Sequence, residues 1–201
     1  MMTKPNSGGE RTTAWDHTDC RGAEGCPPRC PRFVDKEGNP LLIQTGAEGE
    51  FETLVNFYDD YPSRHRSMSL PPLTRPQVER WVEKVIENGR SVLAFHDGRL
   101  VGHVAFLPAD QQEPELIVFI ASPYQDSGLG TELCRQAMAY AADDGHRALR
   151  LHVDADNEIA LAVYNSLGFV EIDREGKRIE MRVALDSDLV SKVQAPPADR
   201  S

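Results

Sequence analysis

No apolar run in these 201 residues approaches the roughly 20 that a membrane crossing needs. The opening stretch MMTKPNSGGERTT has no apolar segment of the secretory kind, so a cytoplasmic protein without a membrane partner is expected. Basic charge is scarce. The 22 Lys and Arg face 32 Asp and Glu, a formal net charge of −10. Nucleic-acid binding needs basic clusters, so no nucleic-acid partner is expected. The acid excess serves solubility or adaptation to a salty cytoplasm and is silent about fold. Cysteine is sparse, four in all, and a reducing compartment keeps such thiols free.

What is present is an ordinary globular balance, 40% hydrophobic and 27% charged. The length suits one domain of about 150 residues with tails. Residues 1–39 read as an irregular arm, rich in Gly, Pro, Asp and Arg without helical or strand period. The folded domain is expected over 40–186, followed by a disordered tail, 187–201. Within the domain, LLIQTG at 41–46 reads as a strand, and residues 48–59 place Phe51, Leu54, Val55 and Tyr58 on one helical stripe. Thr74 opens a second helix with Gln77 three residues on and Pro76 in the first turn, and Gly89 closes it.

Two strands meet across Asp97-Gly98, a hairpin dipeptide. ELIVFIA at 115–121 suits a central strand. A glycine-bearing turn then enters a helix to about Asp143. A strand over 148–154, a helix from Asn157 to Leu167 and a last strand pair around Glu175-Gly176 complete the order. Hairpins mixed with crossover helices predict an α/β (α+β) fold, a mixed, mostly antiparallel sheet flanked by helices.

The turn Gln125-Asp126-Ser127-Gly128-Leu129-Gly130-Thr131 carries the clearest chemistry. It joins a strand to a helix, whose first turn has unpaired N–H groups and a dipole that favours an anion. Gly128 and Gly130 let a phosphate approach the backbone, and Gln125 can donate another hydrogen bond. In isolation this is also an ordinary tight strand-to-helix turn. Further on, Asn157 and Tyr164 stand two turns apart on one helix face, with small Ala160 between them and Leu167-Gly168-Phe169 after them.

Together, Q-x-x-G-x-G and N-x-x-A-x-x-x-Y followed by L-G-F, in this order, resemble the two hallmarks of the GNAT acetyltransferases. The resemblance covers roughly residues 40–185. It implies acetyl-CoA as co-substrate, with its pyrophosphate on Gln125, Gly128, Gly130 and the N–H groups through Thr131. It implies a pantetheine arm paired with the backbone of Phe119 and Ile120, a cofactor contact from Asn157, and Tyr164 protonating the departing thiolate. An ammonium acceptor must lose a proton before it attacks a thioester. The segment from Glu115 to Gly130 resembles the Pat-type protein lysine acetyltransferases, which implies Glu115 as that base. Glu113 is the neighbour that could substitute. The loop PSRHRS at 62–67 resembles a loop of the same group.

His103 and His152 read as satisfied core or edge histidines, and Cys134 as helix packing. His65 is left without a role. His17, Cys20, Cys26 and Cys30 offer zinc-type ligands close together, though idle thiols on a loose arm are the plainer reading. The expected function is acetyl transfer to an amine, with a protein lysine slightly favoured. A small-molecule or antibiotic amine is the alternative acceptor, and a noncatalytic acyl-CoA sensor or a metal-binding adaptor the alternative class.

Overall fold

The computed structural model describes residues 19–62, 71–186 and 188–200. Eight strands form one sheet: β1 (Arg32–Val34), β2 (Pro40–Thr45), β3 (Arg90–His96), β4 (Arg99–Leu107), β5 (Glu115–Ile120), β6 (Ala148–Asp154), β7 (Val170–Glu175) and β8 (Arg178–Ala184). Their order across the sheet is β1-β2-β3-β4-β5-β6-β8-β7. Every neighbouring pair is antiparallel except β5 with β6. The helices are α1 (Phe51–Asp59), α2 (Arg75–Asn88), α3 (Leu129–Asp143), α4 (Glu158–Ser166) and α5 (Asp188–Gln194). Among the described residues no helix is long and apolar enough to cross a membrane.

The sheet is sandwiched at its centre. On one face Val92, Ala94, Val104 and Phe106 pack with Leu133, Ala137 and Met138 of α3. On the other, Leu93 and Phe119 pack with Leu54, Val55 and Tyr58 of α1 and with Val78 and Val82 of α2. Cover on both faces explains why β3 and β4 read as continuous apolar runs rather than alternating ones. Asp97 and Gly98 adopt φ of 47° and 77°, the two left-handed positions of a tight hairpin turn. Thr74 and Gln77 bond to each other through their side chains at 2.9 Å, while the Thr74 carbonyl accepts the Gln77 and Val78 N–H groups.

The ends differ from the sequence expectation. Arg32–Val34 is a strand on β2, not irregular chain. Asp188–Gln194 is a helix whose Val190 and Val193 join the core beside α3, where a disordered tail was expected. A three-residue strand and a seven-residue helix are too short to show a period. The anchor of the arm is charged. Arg29, 3% exposed, grips Glu132 of α3 through two bonds of 2.7 Å and also donates to the Val193 carbonyl. Gln136 of α3 donates to the Cys30 carbonyl at 2.7 Å. A charged residue with a distant buried partner reads, in sequence, as a solvated one.

Candidate active site

β5 and β6 run side by side only at their start. Their one registered pair is Glu115 with Arg150, and beyond it the strands part. On its other edge β5 stays bonded to β4, with Phe119 opposite His103 and Ile120 opposite Gly102. The β5 edge that faces β6 is therefore left without a strand partner along most of its length. Backbone N–H and C=O groups there lack a strand partner, and at Ile120 side chains take the place of one. Tyr61 reaches this edge. Its phenol is hydrogen-bonded to the Ile120 backbone and the Gln125 side chain, and its ring stands edge-on to Phe119 at 5.6 Å.

The turn after β5 is built from local bonds. Tyr124 N–H returns to the Ala121 carbonyl at 2.8 Å, and Ser127 Oγ, buried, donates to the Tyr124 carbonyl at 2.8 Å. Asp126 sits at φ 61° and Gly128 at φ 89°, so the chain turns twice through the left-handed region before α3 begins. Gly128 is the N-cap of α3 and brings no side-chain cap. The first-turn N–H groups therefore lack a side-chain acceptor and suit an anion, which fits a pyrophosphate. Gln125 does not point there: its amide donates to the Ile120 carbonyl at 3.1 Å.

α4 holds Tyr164 through its two ends. Asn157 caps the N-terminus, its side chain accepting the Ala160 N–H at 3.1 Å. At the other end Gly168 takes φ 82°, Gly168 N–H bonds the Asn165 carbonyl at 3.1 Å, and Phe169 N–H bonds the Tyr164 carbonyl at 3.0 Å. These bonds are those of a Schellman stop. They fold Phe169 back on Tyr164, ring centroids 5.6 Å apart. The L-G-F run is thus the device that orients the tyrosine. Burial pushes the Tyr164 phenol well above the usual range, with the Cys134 thiol and Tyr61 phenol adding to the effect. It is held protonated at neutral pH.

On the sheet face opposite α3, Glu115 meets His152, with Nδ1 2.8 Å from Oε1. His152 is thus a satisfied histidine, as expected, and the partner that satisfies it is the candidate base. Alternation along β6 places it on this face, because Leu151 and Val153 on either side point into the core. That alternation was the signal that could have found it. Glu113 is engaged elsewhere: Arg182 bonds it at 2.8 and 3.2 Å, and Arg150 lies at 3.3 Å. The hydrogen bond and charge of Arg182, with Arg150 behind it, hold its carboxyl below the usual range. Glu113 is thus a poor proton acceptor, its carboxylate committed to two arginines.

The other candidates scatter. Cys134 is buried as expected, and burial pushes its thiol up to about 12. His103 is a satisfied core histidine between the Tyr58 hydroxyl and Ser91 Oγ. Cys20 and Cys30 are half-buried and Cys26 is exposed, while His17 lies outside the described residues. Among the described residues no three His, Cys, Asp or Glu converge on a metal site, so zinc gains no support. The loop 62–67 lies outside the described residues from position 63 on, His65 included.

The model of the acetyltransferase (GNAT) family matches residues 51–169. This chain belongs to the GNAT acetyltransferase family. The matched stretch runs from α1 to Phe169 and holds the parted strands, the turn and Tyr164. Among curated relatives, this GNAT chain is similar to a mycothiol acetyltransferase of Corynebacterium efficiens, 35% identical over 104 residues. That match covers 51% of this chain and 33% of the relative, so the chain spans about a third of the relative's length. Among solved structures it is similar to a GNAT-family acetyltransferase of Streptococcus pneumoniae, with TM-score 0.60 and 28% identity over 72% of this chain and 99% of that one. It shares its fold with the GNAT domain of S. lividans PAT, TM-score 0.66 at 18% identity, covering 76% of this chain and 95% of that one.

Proposed function

We propose that this GNAT protein transfers the acetyl group of acetyl-CoA to a primary amine, acting in the cytoplasm. The observation that carries the reading is the parting of β5 from β6 after Glu115↔Arg150. It leaves a strand edge for an extended acyl-pantetheine arm, with the uncapped N-terminus of α3 at its far end for the phosphates. Acetyl-CoA, when bound, supplies an activated acyl thioester. Glu115 takes the proton from the incoming ammonium, and His152 orients it. The Ile120 backbone donates to the carbonyl oxygen as negative charge develops there, once Tyr61 has yielded that position. Tyr164, kept protonated by burial, hands its proton to the leaving thiolate. Asn157 lies at the start of the same helix, where its side chain caps the Ala160 N–H.

Glu115, its side chain half exposed beside His152, leaves an ammonium acceptor room to approach. A lysine side chain of a protein is such an acceptor and remains the first reading. A small-molecule amine is the second, favoured by the similarity to a relative named for mycothiol. A screen of acetyl-CoA turnover with thiol release as readout, over lysine peptides, spermidine and amino sugars, separates them. Turnover confined to peptides supports the first reading. Turnover confined to a small amine supports the second. Acetyl-CoA binding without turnover on any amine replaces both with a sensor.

A further inference from the structure

The phosphate turn lacks something a diphosphate needs. From Ser122 to Thr131 the sequence has no Lys or Arg, and it carries the carboxylate of Asp126. Glu132 follows in the first turn of α3, but buried Arg29 neutralises it. A diphosphate arriving at this helix end meets N–H dipoles and an acid, with no cation from the turn itself.

The cation stands on the β1–β2 hairpin. Buried Asp35 shapes that turn: its carboxylate accepts the Glu37 N–H at 3.1 Å and the Asn39 N–H at 2.8 Å, and also the Asn39 side-chain amide at 2.9 Å. The turn so formed is pinned to the phosphate turn, because Lys36 N–H donates to the Ser127 carbonyl at 3.0 Å. Lys36 Nζ lies 3.5 Å from the Asp126 carbonyl. Its stem crosses Gly128 on the side where a side chain would stand: a Cβ built there would meet Lys36 Cε at 3.6 Å and Cγ at 3.8 Å. The gap left by the missing side chain of Gly128 therefore opens onto an exposed lysine. Among the described residues the Lys36 ammonium bonds a carbonyl, that of Asp126, and no carboxylate. The hairpin lies outside the stretch 51–169 that the family model matches.

We propose that the β1–β2 hairpin is an added wall of the acetyl-CoA site, and that Lys36 binds the cofactor's diphosphate across Gly128. This rests on the acetyl-CoA reading above. The ammonium swings from the Asp126 carbonyl onto a phosphate oxygen, exchanging a neutral acceptor for a charged one. The N-terminal arm, expected from the sequence to be irregular, thereby gains a role at the site.

Titration calorimetry of CoA into the full chain tests it, with Lys36→Met and Lys36→Arg beside the wild type and dephospho-CoA as second ligand. Lys36→Met should weaken CoA about tenfold, the size of one charge-assisted hydrogen bond. Lys36→Arg should stay near wild type. The loss should be the same with dephospho-CoA, which keeps the diphosphate but lacks the 3′-phosphate. Lys36→Met should also flatten the fall of affinity with added salt. Both variants keep the backbone bond to Ser127, so heat unfolding should match the wild type. Equal CoA affinity in a folded Lys36→Met overturns the proposal. So does a loss seen with CoA but not with dephospho-CoA, which moves Lys36 to the 3′-phosphate. A wild type that binds no CoA removes the acetyl-CoA reading itself, a failure distinct from that of Lys36 alone.

Discussion

His152 Nδ1 lies 2.8 Å from Glu115 Oε1, although the two residues stand 37 positions apart. They come together because β5 and β6 are parallel and in register only at Glu115↔Arg150. The same pair marks where the strands begin to part. The strand end that carries the proposed base is thus also the start of the open edge that would hold the acyl arm.

Glu115→Gln should lower kcat about 10²–10⁴-fold, the usual weight of a general base, with acetyl-CoA affinity unchanged. Raising the pH should recover part of the rate, since more acceptor amine is then free without help. His152→Ala should cost less, because it removes only the partner that orients the carboxylate. Steady-state rates over a pH series, with calorimetry for binding, check both.

Tyr164→Phe should keep acetyl-CoA affinity and lower kcat, because it deletes a proton donor and leaves the ring against Phe169. Single-turnover thiol release is the measurement. An unchanged rate would show that the thiolate leaves without this proton.

The central fold was legible in the sequence because its elements are long and periodic. The strands expected at 41–46, 115–121 and 148–154 lie within a residue of Pro40–Thr45, Glu115–Ile120 and Ala148–Asp154. Both expected hairpins turn at or beside their dipeptides, and α4 is capped by Asn157 and Leu167. The motif residues fell on the predicted turn and helix. What stayed hidden depends on contacts between distant segments. His152 gains its meaning only from Glu115 across a strand gap. Gln125 was expected to face the phosphates, yet the Ile120 carbonyl and the Tyr61 phenol claim its side chain. Arg29 and Glu132 are 103 positions apart, and no local pattern announces a buried ion pair.

That pair makes a stability prediction. Its side chains are 2% and 4% exposed, and removing one partner leaves the other charged and buried. Glu132→Ala should cost about 3–5 kcal/mol, the usual penalty for a broken buried pair. Replacing both residues together with apolar ones, Arg29→Met with Glu132→Leu, should cost much less. Denaturant unfolding of the single and the double variant tests this, and equal losses in both would contradict it.

His103 predicts how stability varies with acid. Burial lowers its imidazole from an ordinary value of 6.5 to about 3. Between those values the unfolded chain takes up a proton that the folded chain refuses. This contribution is therefore complete above about pH 6.5 and lost as the pH falls toward 3, at up to about 1.4 kcal/mol per unit. NMR of the imidazole should show no titration of His103 down to about pH 5 while the fold persists. A titration midpoint near 6.5 would contradict its burial as a neutral ring.

The central claim is that acetyl-CoA lies in the gap between β5 and β6 with its phosphates on the start of α3. Hydrogen exchange with and without acetyl-CoA tests it most directly. Amides of residues 117–131 should slow on binding, first those of the open β5 edge and of the turn through Gly130, while those of β7 keep their rates. Binding that leaves 117–131 unprotected, or protects another part of the sheet instead, would contradict it.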